Sequence, residues 1–549
     1  MLRLSILFAA SAAIAAAQQH EHGAAGTEKL GTVRFATSCS ARAQPPFNRA
    51  VALLHSFDFA RAVAGFDATL AADASCTIAH WGIALSRWGN PFAPGAKAAA
   101  QLQQGREAID RATASPPKSD REQAYVDAAS RLYADYEHAP QGTRVLAYRD
   151  AMERLAARYP DDTEASIFYA LSLAIAADPA DKTYASQLKS GAILQKLFVK
   201  QPDHPGLAHY IIHSYDVPPL ADRALEAARV YSRIAPSAPH ALHMPSHTFT
   251  RVGDWQESIA ANIAAARSAK SEGAVSEELH ASDYQTYAYL QTGQDRAARG
   301  VVESLPEIYG RFNPTAIGAG GAPAAGYFAV AAIPARYALE RGDWKQAASL
   351  EPRPSPLPYT GAMTYFARAL GAARVKDPAT IRASIEALQQ ARDRLADAKE
   401  VYWAEQVEIQ RLGAEAWLAL VEGRNRDAIA GMRTAADRED AIEKSAVTPG
   451  PLAPARELLG EMLLQTNDPA QALKEFEGTL RKEPNRFRAV AGAAKAAAAS
   501  GNRAAARKYY ERLLKICVKG DEPGRAELQE ARRIAGPTRG SAPTPNVKR

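Results

Sequence analysis

A spacing of 34 residues between similar segments is the feature of this 549-residue sequence that most constrains its fold. In the segment 451–484, Ala472 and Phe476 recur one period later as Ala506 and Tyr510. Alanine is abundant, aromatic residues make up only 8%, and no window alternates with period two, so the repeated segments are predicted to be helical. Such units bury their apolar faces only by stacking on one another, which predicts a long all-α array.

This pattern resembles the tetratricopeptide repeat (TPR), a helix–turn–helix unit of that length. The resemblance implies an all-α, TPR-type solenoid, a right-handed superhelix whose concave groove is the usual ligand surface. We expect a signal peptide at 1–17, a flexible segment at 18–38, an N-terminal TPR array with a histidine-rich groove at 39–310, a Gly/Ala-rich loop at 311–327, a C-terminal TPR array at 328–520, and a basic, Pro-containing, disordered tail at 521–549.

The first residues predict export. Arg3 precedes a short apolar run that ends in an Ala-x-Ala cleavage site at 15–17, which is typical of a secretory signal peptide and too short for a membrane span. We therefore expect a periplasmic or secreted protein. In that oxidising environment Cys39 and Cys76 could form a disulfide, which would leave Cys517 unpaired. The alternative is that Cys76 is simply a small buried residue of a helix. The net charge of +6 is spread along the chain, so no nucleic-acid partner is expected.

Histidines recur in one register of two neighbouring repeats. His209 and His213 occupy the fifth and ninth positions of one repeat, and His243 and His247 occupy the same positions of the next. These positions lie one helical turn apart on one face, away from the residues that pack within the repeat. The TPR resemblance implies that they line the concave groove. We therefore expect an exposed stripe on which four imidazoles converge.

Other polar residues fall on the same predicted stripe; they are His55, Asp216, His240, Arg251, His280, Asp283 and Tyr287. Four imidazoles are a good ligand set for Zn, Cu or Fe, and His240, His280 and His55 are candidates for additional ligands. Asp216, Asp283 and Tyr287 are candidate catalytic groups, and either carboxylate could instead orient a ligating imidazole. The alternative is that the histidines only make the groove polar. His204, which precedes Pro205, is assigned to a turn between repeats.

The segment 204–255, HPGLAHYIIHSYDVPPLADRALEAARVYSRIAPSAPHALHMPSHTFTRVGDW, is similar to the signature of a family of exported bacterial TPR proteins. ALLHSF, CTIAHWGIALSRW and FAVAAIPARYALERGDW match the same family, so the resemblance covers nearly the whole mature chain. It implies the fold and the histidine cluster but no particular reaction. The chain departs from the family at GNPF, which follows Trp88, and at Ser445-Ala446, where the family has His-Pro.

Two functions fit these features. The first is an exported scaffold whose concave groove binds a protein or peptide and carries a transition-metal site. The second is a metal-dependent enzyme of the hydrolase or oxygenase type that uses the histidines with Asp216 and Tyr287. A structural metal site is closed by protein ligands, whereas a catalytic site keeps an open position, so the geometry of the site separates the two.

Overall fold

The computed structural model describes residues 28–93, 95–316 and 320–536, and every regular element in these ranges is a helix. The N-terminal half contains α1 (Gln44–His55), α2 (Phe59–Ala72), α3 (Ile78–Trp88), α4 (Ala99–Ala114), α5 (Asp120–Tyr133), α6 (Gln141–Arg158), α7 (Thr163–Ile175), α8 (Ala185–Phe198), α9 (Pro205–Ser214), a 3₁₀ turn (Ala221–Ala224), α10 (Leu225–Ile234), α11 (Pro239–His243), α12 (Pro245–Val252), α13 (Trp255–Ser271), α14 (Val275–Gln291) and α15 (Asp295–Gly310). The C-terminal half contains α16 (Pro323–Glu340), α17 (Trp344–Ala348), α18 (Pro358–Val375), α19 (Pro378–Asp397), α20 (Val401–Val421), α21 (Asn425–Ala441), α22 (Ala455–Gln465), α23 (Pro469–Lys482), α24 (Phe487–Ala499), α25 (Arg503–Ile516) and α26 (Ala526–Ala535).

Helices that follow one another along the chain pack against each other. α1 packs on α2, α13 on α14 and α24 on α25, and the turns between them are short. α23 begins at Pro469 and α25 at Arg503, so the spacing in the sequence is the spacing of the helices. The all-α, TPR-type solenoid predicted from the sequence is therefore confirmed. Within the described residues, no helix combines the length and the apolar composition that crossing a membrane requires.

The turn at Gly253 shows how the sequence ends one helix and starts the next. Gly253 has a φ of 73°, a left-handed conformation that glycine adopts without strain, and it ends α12 two residues before α13 begins. A Cβ at this position would lie 2.3 Å from the carbonyl oxygen of Pro484. Glycine is thus required both for the turn and for the close approach of the C-terminal half.

The C-terminal half folds back onto the N-terminal half. The indole Nε1 of Trp255 donates to the carbonyl of Asn485 at 2.9 Å, and the amide of Asn485 donates to the carbonyl of Gly253 at 3.0 Å. Farther along, the Tyr184 hydroxyl donates to Glu443 at 2.8 Å. The concave side that the sequence predicted to be open is therefore covered in part by the chain itself.

The N-terminal boundary differs from the prediction. Residues 28–38 are extended but packed, because Leu30, Val33 and Phe35 are buried in the core of the N-terminal half. The part of the predicted flexible segment that the structure describes is therefore ordered. Immediately after it, Cys39 and Cys76 form a disulfide, and Cys517 is a free, buried thiol. The predicted signal peptide at 1–17 and residues 18–27 lie outside the described residues.

Two later boundaries also move. The loop predicted at 311–327 is shorter, since α16 begins at Pro323, where proline is favoured in the first turn of a helix. The tail predicted from 521 contains α26, which buries Leu528 and Ala531 against the preceding helix. Residues 537–549 lie outside the described residues.

Candidate metal centre

Six buried histidines lie together on the first helices of three consecutive repeats. α9 carries His209 and His213, α11 carries His240 and His243, α12 carries His247, and α14 carries His280. None of the six is more than 8% exposed. The exposed histidine stripe expected from the sequence is therefore wrong, because residues 320–325 and 446–447 of the C-terminal half lie over it.

Three of these histidines share one helical face despite a proline between them. Pro245 has no N–H group, so the helix is interrupted between α11 and α12. Met244 nevertheless keeps helical angles, with φ −54° and ψ −35°. His240, His243 and His247 consequently stay at spacings of three and four residues on one helical face.

The six histidines form two groups of three. The first triad consists of His209, His213 and His240, and the second triad consists of His243, His247 and His280. Within each triad, one ring nitrogen per residue lies within 4.8 Å of the other two. Each triad takes the fifth and ninth positions of one repeat and the second position of the next, so the repeat generates the same arrangement twice.

In the first triad, hydrogen bonds determine which nitrogen is free. His209 donates its Nδ1–H to the backbone carbonyl of His55 at 2.6 Å, and His240 donates its Nδ1–H to Glu277 at 3.0 Å. Their Nε2 atoms therefore carry lone pairs. The Nε2 atoms of His209, His213 and His240 are all buried without a hydrogen-bond partner. Buried, unpartnered polar atoms are costly unless another group binds them.

In the second triad, two lone pairs face each other. The side-chain amide of Asn262 donates to the carbonyl of Ser258, so its oxygen faces Nδ1 of His243 at 2.7 Å and accepts a hydrogen bond from Nδ1–H. His247 donates its Nδ1–H to Asp216 at 2.9 Å. The Nε2 atoms of His243 and His247, which are 3.1 Å apart, then both lack a proton.

A cation between these two atoms would remove the repulsion. Two nitrogens about 2.05 Å from a tetrahedral ion are about 3.3 Å apart, close to the separation of the His243 and His247 Nε2 atoms. Burial lowers the pKa values of four imidazoles well below the usual range: those of His209, His213, His243 and His280. Burial also lowers the pKa of His247, although the hydrogen bond and charge of Asp216 act to raise it. The imidazoles are therefore neutral, which is the form that binds metals.

Asp216 and Arg251, both predicted on the stripe, lie behind the second triad. Arg251 donates from Nε to Asp216 at 2.8 Å, and the ammonium of Lys444 is 3.6 Å from the same carboxylate. Burial alone would raise the pKa of Asp216, but the charges of Lys444 and Arg251 outweigh burial and hold it well below the usual range. Asp216 is thus a charged acceptor that orients His247.

The structure does not bring Asp283 and Tyr287 to the triads. Asp283 binds the guanidinium of the buried Arg336 at 2.8 Å. The hydroxyl of Tyr287 lies 3.1 Å from Arg486 and 3.4 Å from Glu483. These residues occupy the fifth and ninth positions of the third repeat, where the C-terminal half contacts the array through charged side chains. They therefore bind the two halves together.

His55 belongs to a third group, which it forms with Glu164 and His204. Glu164 accepts from Nε2 of His55 at 2.9 Å and from Nε2 of His204 at 3.0 Å. Burial would raise the pKa of Glu164, but the charges and hydrogen bonds of His204 and His55 lower it. His55 therefore supports the first triad through its backbone carbonyl and does not point its ring there. His204 lies in the turn between α8 and α9, as the sequence predicted, and its side chain is buried in this group.

A small pocket adjoins both triads. It has a cavity volume of about 20 Å³ and is lined by His213, His240, His247 and His280, with Met244, Phe92, Val447 and several alanines as the apolar wall. Phe92 stacks on the ring of His213 with centroids 3.9 Å apart. A side chain in place of Gly320 would collide with His240, since a Cβ there would lie 2.2 Å from Nδ1. The C-terminal half thus packs tightly against this side of the pocket.

Several supporting residues were missed in the sequence. Glu277 precedes His280 by one helical turn, and this spacing could have suggested it. Asn262 is the one polar residue in the apolar stretch 259–266 of α13, and this position among alanines and isoleucines could have suggested a hydrogen-bond role. Glu164 and Lys444 come from distant segments, and no local pattern indicates that they approach the histidines.

Comparisons with known proteins add little to this picture. No protein-family model matches the sequence, and no curated protein is significantly similar to it. Human IFIT1, solved as a dimer with PPP-AAAA, is 11% identical over 81% of this chain and 91% of its own, with a TM-score of 0.35. The APC/C hetero-tetramer Cut9–Hcn1 is 10% identical over 92% of this chain and 78% of its own, with a TM-score of 0.36. Similarities this low carry no argument about ligands or function.

Proposed function

We propose that this chain is an exported metalloprotein whose TPR-type scaffold holds transition-metal ions in the histidine triads. The observation that carries the proposal is the pair of facing, unprotonated Nε2 atoms of His243 and His247. Each triad offers three imidazoles, a donor set that suits Zn, Cu and Fe. The Cys39–Cys76 disulfide supports an oxidising compartment, in agreement with the predicted signal peptide.

The scaffold function follows from how the centre is built. The ligands come from three stacked repeats, and their orienting groups come from α1, α13 and the segment after α9. The chain's own residues cover the histidines, so a protein or peptide partner would bind on another part of the concave surface. The metal then organises the interior of the array, and binding to folded protein alone makes it more stable.

A metal-dependent enzyme is the second candidate, and the pocket favours it. Three protein ligands per site leave a coordination position open, as catalytic sites require. Asp216 serves here as an orienting group, which leaves the chemistry to the ions. A reaction that the metal-loaded protein catalyses and the metal-free protein does not, screened as oxygen uptake and as ester hydrolysis, would distinguish an enzyme from a metal carrier.

The test of metal binding is elemental analysis of untagged protein exported to the periplasm. We expect Cu, Zn or Fe at a fixed ratio to the chain, and we expect His243→Ala to lose metal because it removes one of the facing Nε2 atoms. The matched control is His138→Ala, since His138 is exposed and contacts only Asp135. Protein that stays metal-free after incubation with each of the three ions would refute the proposal.

A further inference from the structure

We propose that the two triads hold two copper ions at the same time, and that these ions share one dioxygen-sized ligand in the adjoining pocket. This inference rests on the proposed function, because it requires that the triads bind metal. It goes further in three respects, which are the number of ions, the kind of ion and the class of ligand.

The distances between the triads support two neighbouring ions. Ring centroids within a triad are between 4.4 Å (His243–His280) and 6.5 Å (His213–His240) apart. Between the triads, His240 lies 5.8 Å from His243, and His213 lies 6.0 Å from His247. Rings of different triads are thus as close as rings of the same triad. Ions bound to both would be neighbours, as in two-metal sites.

The open positions of both sites face one space. His213 and His240 of the first triad and His247 and His280 of the second triad all line the same pocket. Because each triad supplies only three ligands, each ion keeps a position for an exogenous group. A ligand with two donor ends in this pocket would reach both ions.

The donors and the charges favour copper. All six proposed ligands are imidazoles, and copper binds nitrogen donors most tightly among the common divalent ions. Burying charge is expensive. Two zinc ions bring four positive charges, and so do two cupric ions until a bridging anion offsets part of them, whereas copper alone of the two metals also has a singly charged state that brings only two. Each triad has one carboxylate behind it, Glu277 for the first and Asp216 for the second, but Asp216 is already paired with Arg251. The low charge of a cuprous pair fits this environment best.

The walls of the pocket define the ligand class. Apart from the histidines, the lining residues that the structure describes are Asn90 and apolar or small side chains, and none of these is charged. A large or highly charged substrate would lose its hydration without compensation there. Only a small ligand suits a cavity of about 20 Å³, and a neutral diatomic molecule or a linear triatomic anion is small and can bridge two ions. Azide is a probe of this class for the cupric form.

The test counts copper and its unpaired electrons in the same sample. Apo protein is loaded with Cu(II), freed of excess metal, and measured by elemental analysis and by electron paramagnetic resonance (EPR). We expect two coppers per chain with almost no EPR signal, because two bridged Cu(II) ions couple their spins. Azide should bind at one per copper pair and produce a new charge-transfer absorption band.

Variants of each triad provide the matched controls. His240→Ala in the first triad and His280→Ala in the second should each lose one copper, and the remaining copper should give a full EPR signal and no bridging azide band. Circular dichroism identifies a variant that fails to fold, and the other variant then serves. Two coppers that are both EPR-visible, or a single copper in the unmodified protein, would overturn the paired site and leave the metalloprotein standing. No bound copper, zinc or iron would overturn both.

Discussion

At the scale of single residues, the group behind each imidazole decides which nitrogen faces the centre. The sequence predicted that His209, His213, His243 and His247 would lie together, because their register is visible in the repeat. It could not show the tautomers. The acceptor of His209 is a backbone carbonyl 154 positions away, and the acceptor of His243 comes from the opposite helix of its repeat. Such contacts depend on packing and leave no local pattern.

Replacing Asn262 with alanine should weaken metal binding although Asn262 is not a ligand. The change removes the acceptor that holds Nδ1–H of His243, so the ring can adopt the other tautomer, and loss of such an orienting group typically costs about 10- to 100-fold in affinity. Competition with a metal-binding dye would measure it. Asn425→Ala is the control, because Asn425 is exposed at the start of α21. Equal affinities in the two variants would contradict the orienting role.

At the scale of helices, the repeat spacing predicted the positions of the histidines better than it predicted where the segments of the chain begin and end. α9 and α11 begin 34 residues apart, at Pro205 and Pro239, and this spacing was readable. The third repeat is displaced, since His280 follows His240 by 40 residues rather than 34. The second triad is completed by His280 on α14. Its position depends on how α14 stacks on the preceding repeat, which the residue spacing does not predict.

The disulfide should stabilise the first helices. It joins the segment before α1 to the segment before α3 across a separation of 37 residues, and closing such a loop in the unfolded chain is worth about 4 kcal/mol. We expect native protein to show one reactive thiol per chain after denaturation, from Cys517. We expect Cys39→Ser/Cys76→Ser to melt at a lower temperature. Three thiols in exported, non-reduced protein would exclude the bond.

An ion pair among three C-terminal helices predicts a pH effect. Burial would raise the pKa of Glu461 on α22, but Arg488 on α24 and Arg374 on α18 outweigh it and lower the pKa to about 2. A carboxyl with a lowered folded-state pKa stabilises the fold above its unfolded pKa of about 4.5. That stability is lost as pH falls, at up to about 1.4 kcal/mol per pH unit between about 4.5 and 2.

Denaturant unfolding at pH 7 and pH 3.5 checks this expectation. Glu461→Gln should be less stable than the unmodified protein at pH 7, and the difference should narrow at pH 3.5 because only the unmodified protein has the ionised group to lose. Glu511→Gln is the control, since the Arg507–Glu511 pair is exposed and exposed pairs contribute little. A difference that stays constant with pH would show that Glu461 acts through packing alone.

At the scale of the whole molecule, the fold-back of the C-terminal half turns a groove into an enclosed centre. The hydroxyl of Tyr284, which also contacts His247 at 3.4 Å, lies 3.1 Å from the carbonyl oxygens of Ala446 and Thr448. The covering segment is thereby held against the second triad. Repeat periodicity describes neighbours along the chain, so it could not predict this long-range closure.

The enclosure predicts slow metal release that depends on contacts far from the ligands. Glu443, which immediately precedes Lys444 and the covering segment, accepts from Tyr184 at 2.8 Å and from Lys182 at 2.7 Å. Glu443→Gln weakens this attachment to the N-terminal half, so a chelator should remove metal several-fold faster while the equilibrium affinity changes little. The rate is measured by mixing metal-loaded protein with excess chelator, and Glu511→Gln serves again as control. Equal release rates in Glu443→Gln and the unmodified protein would mean that metal leaves without displacement of residues 446–447.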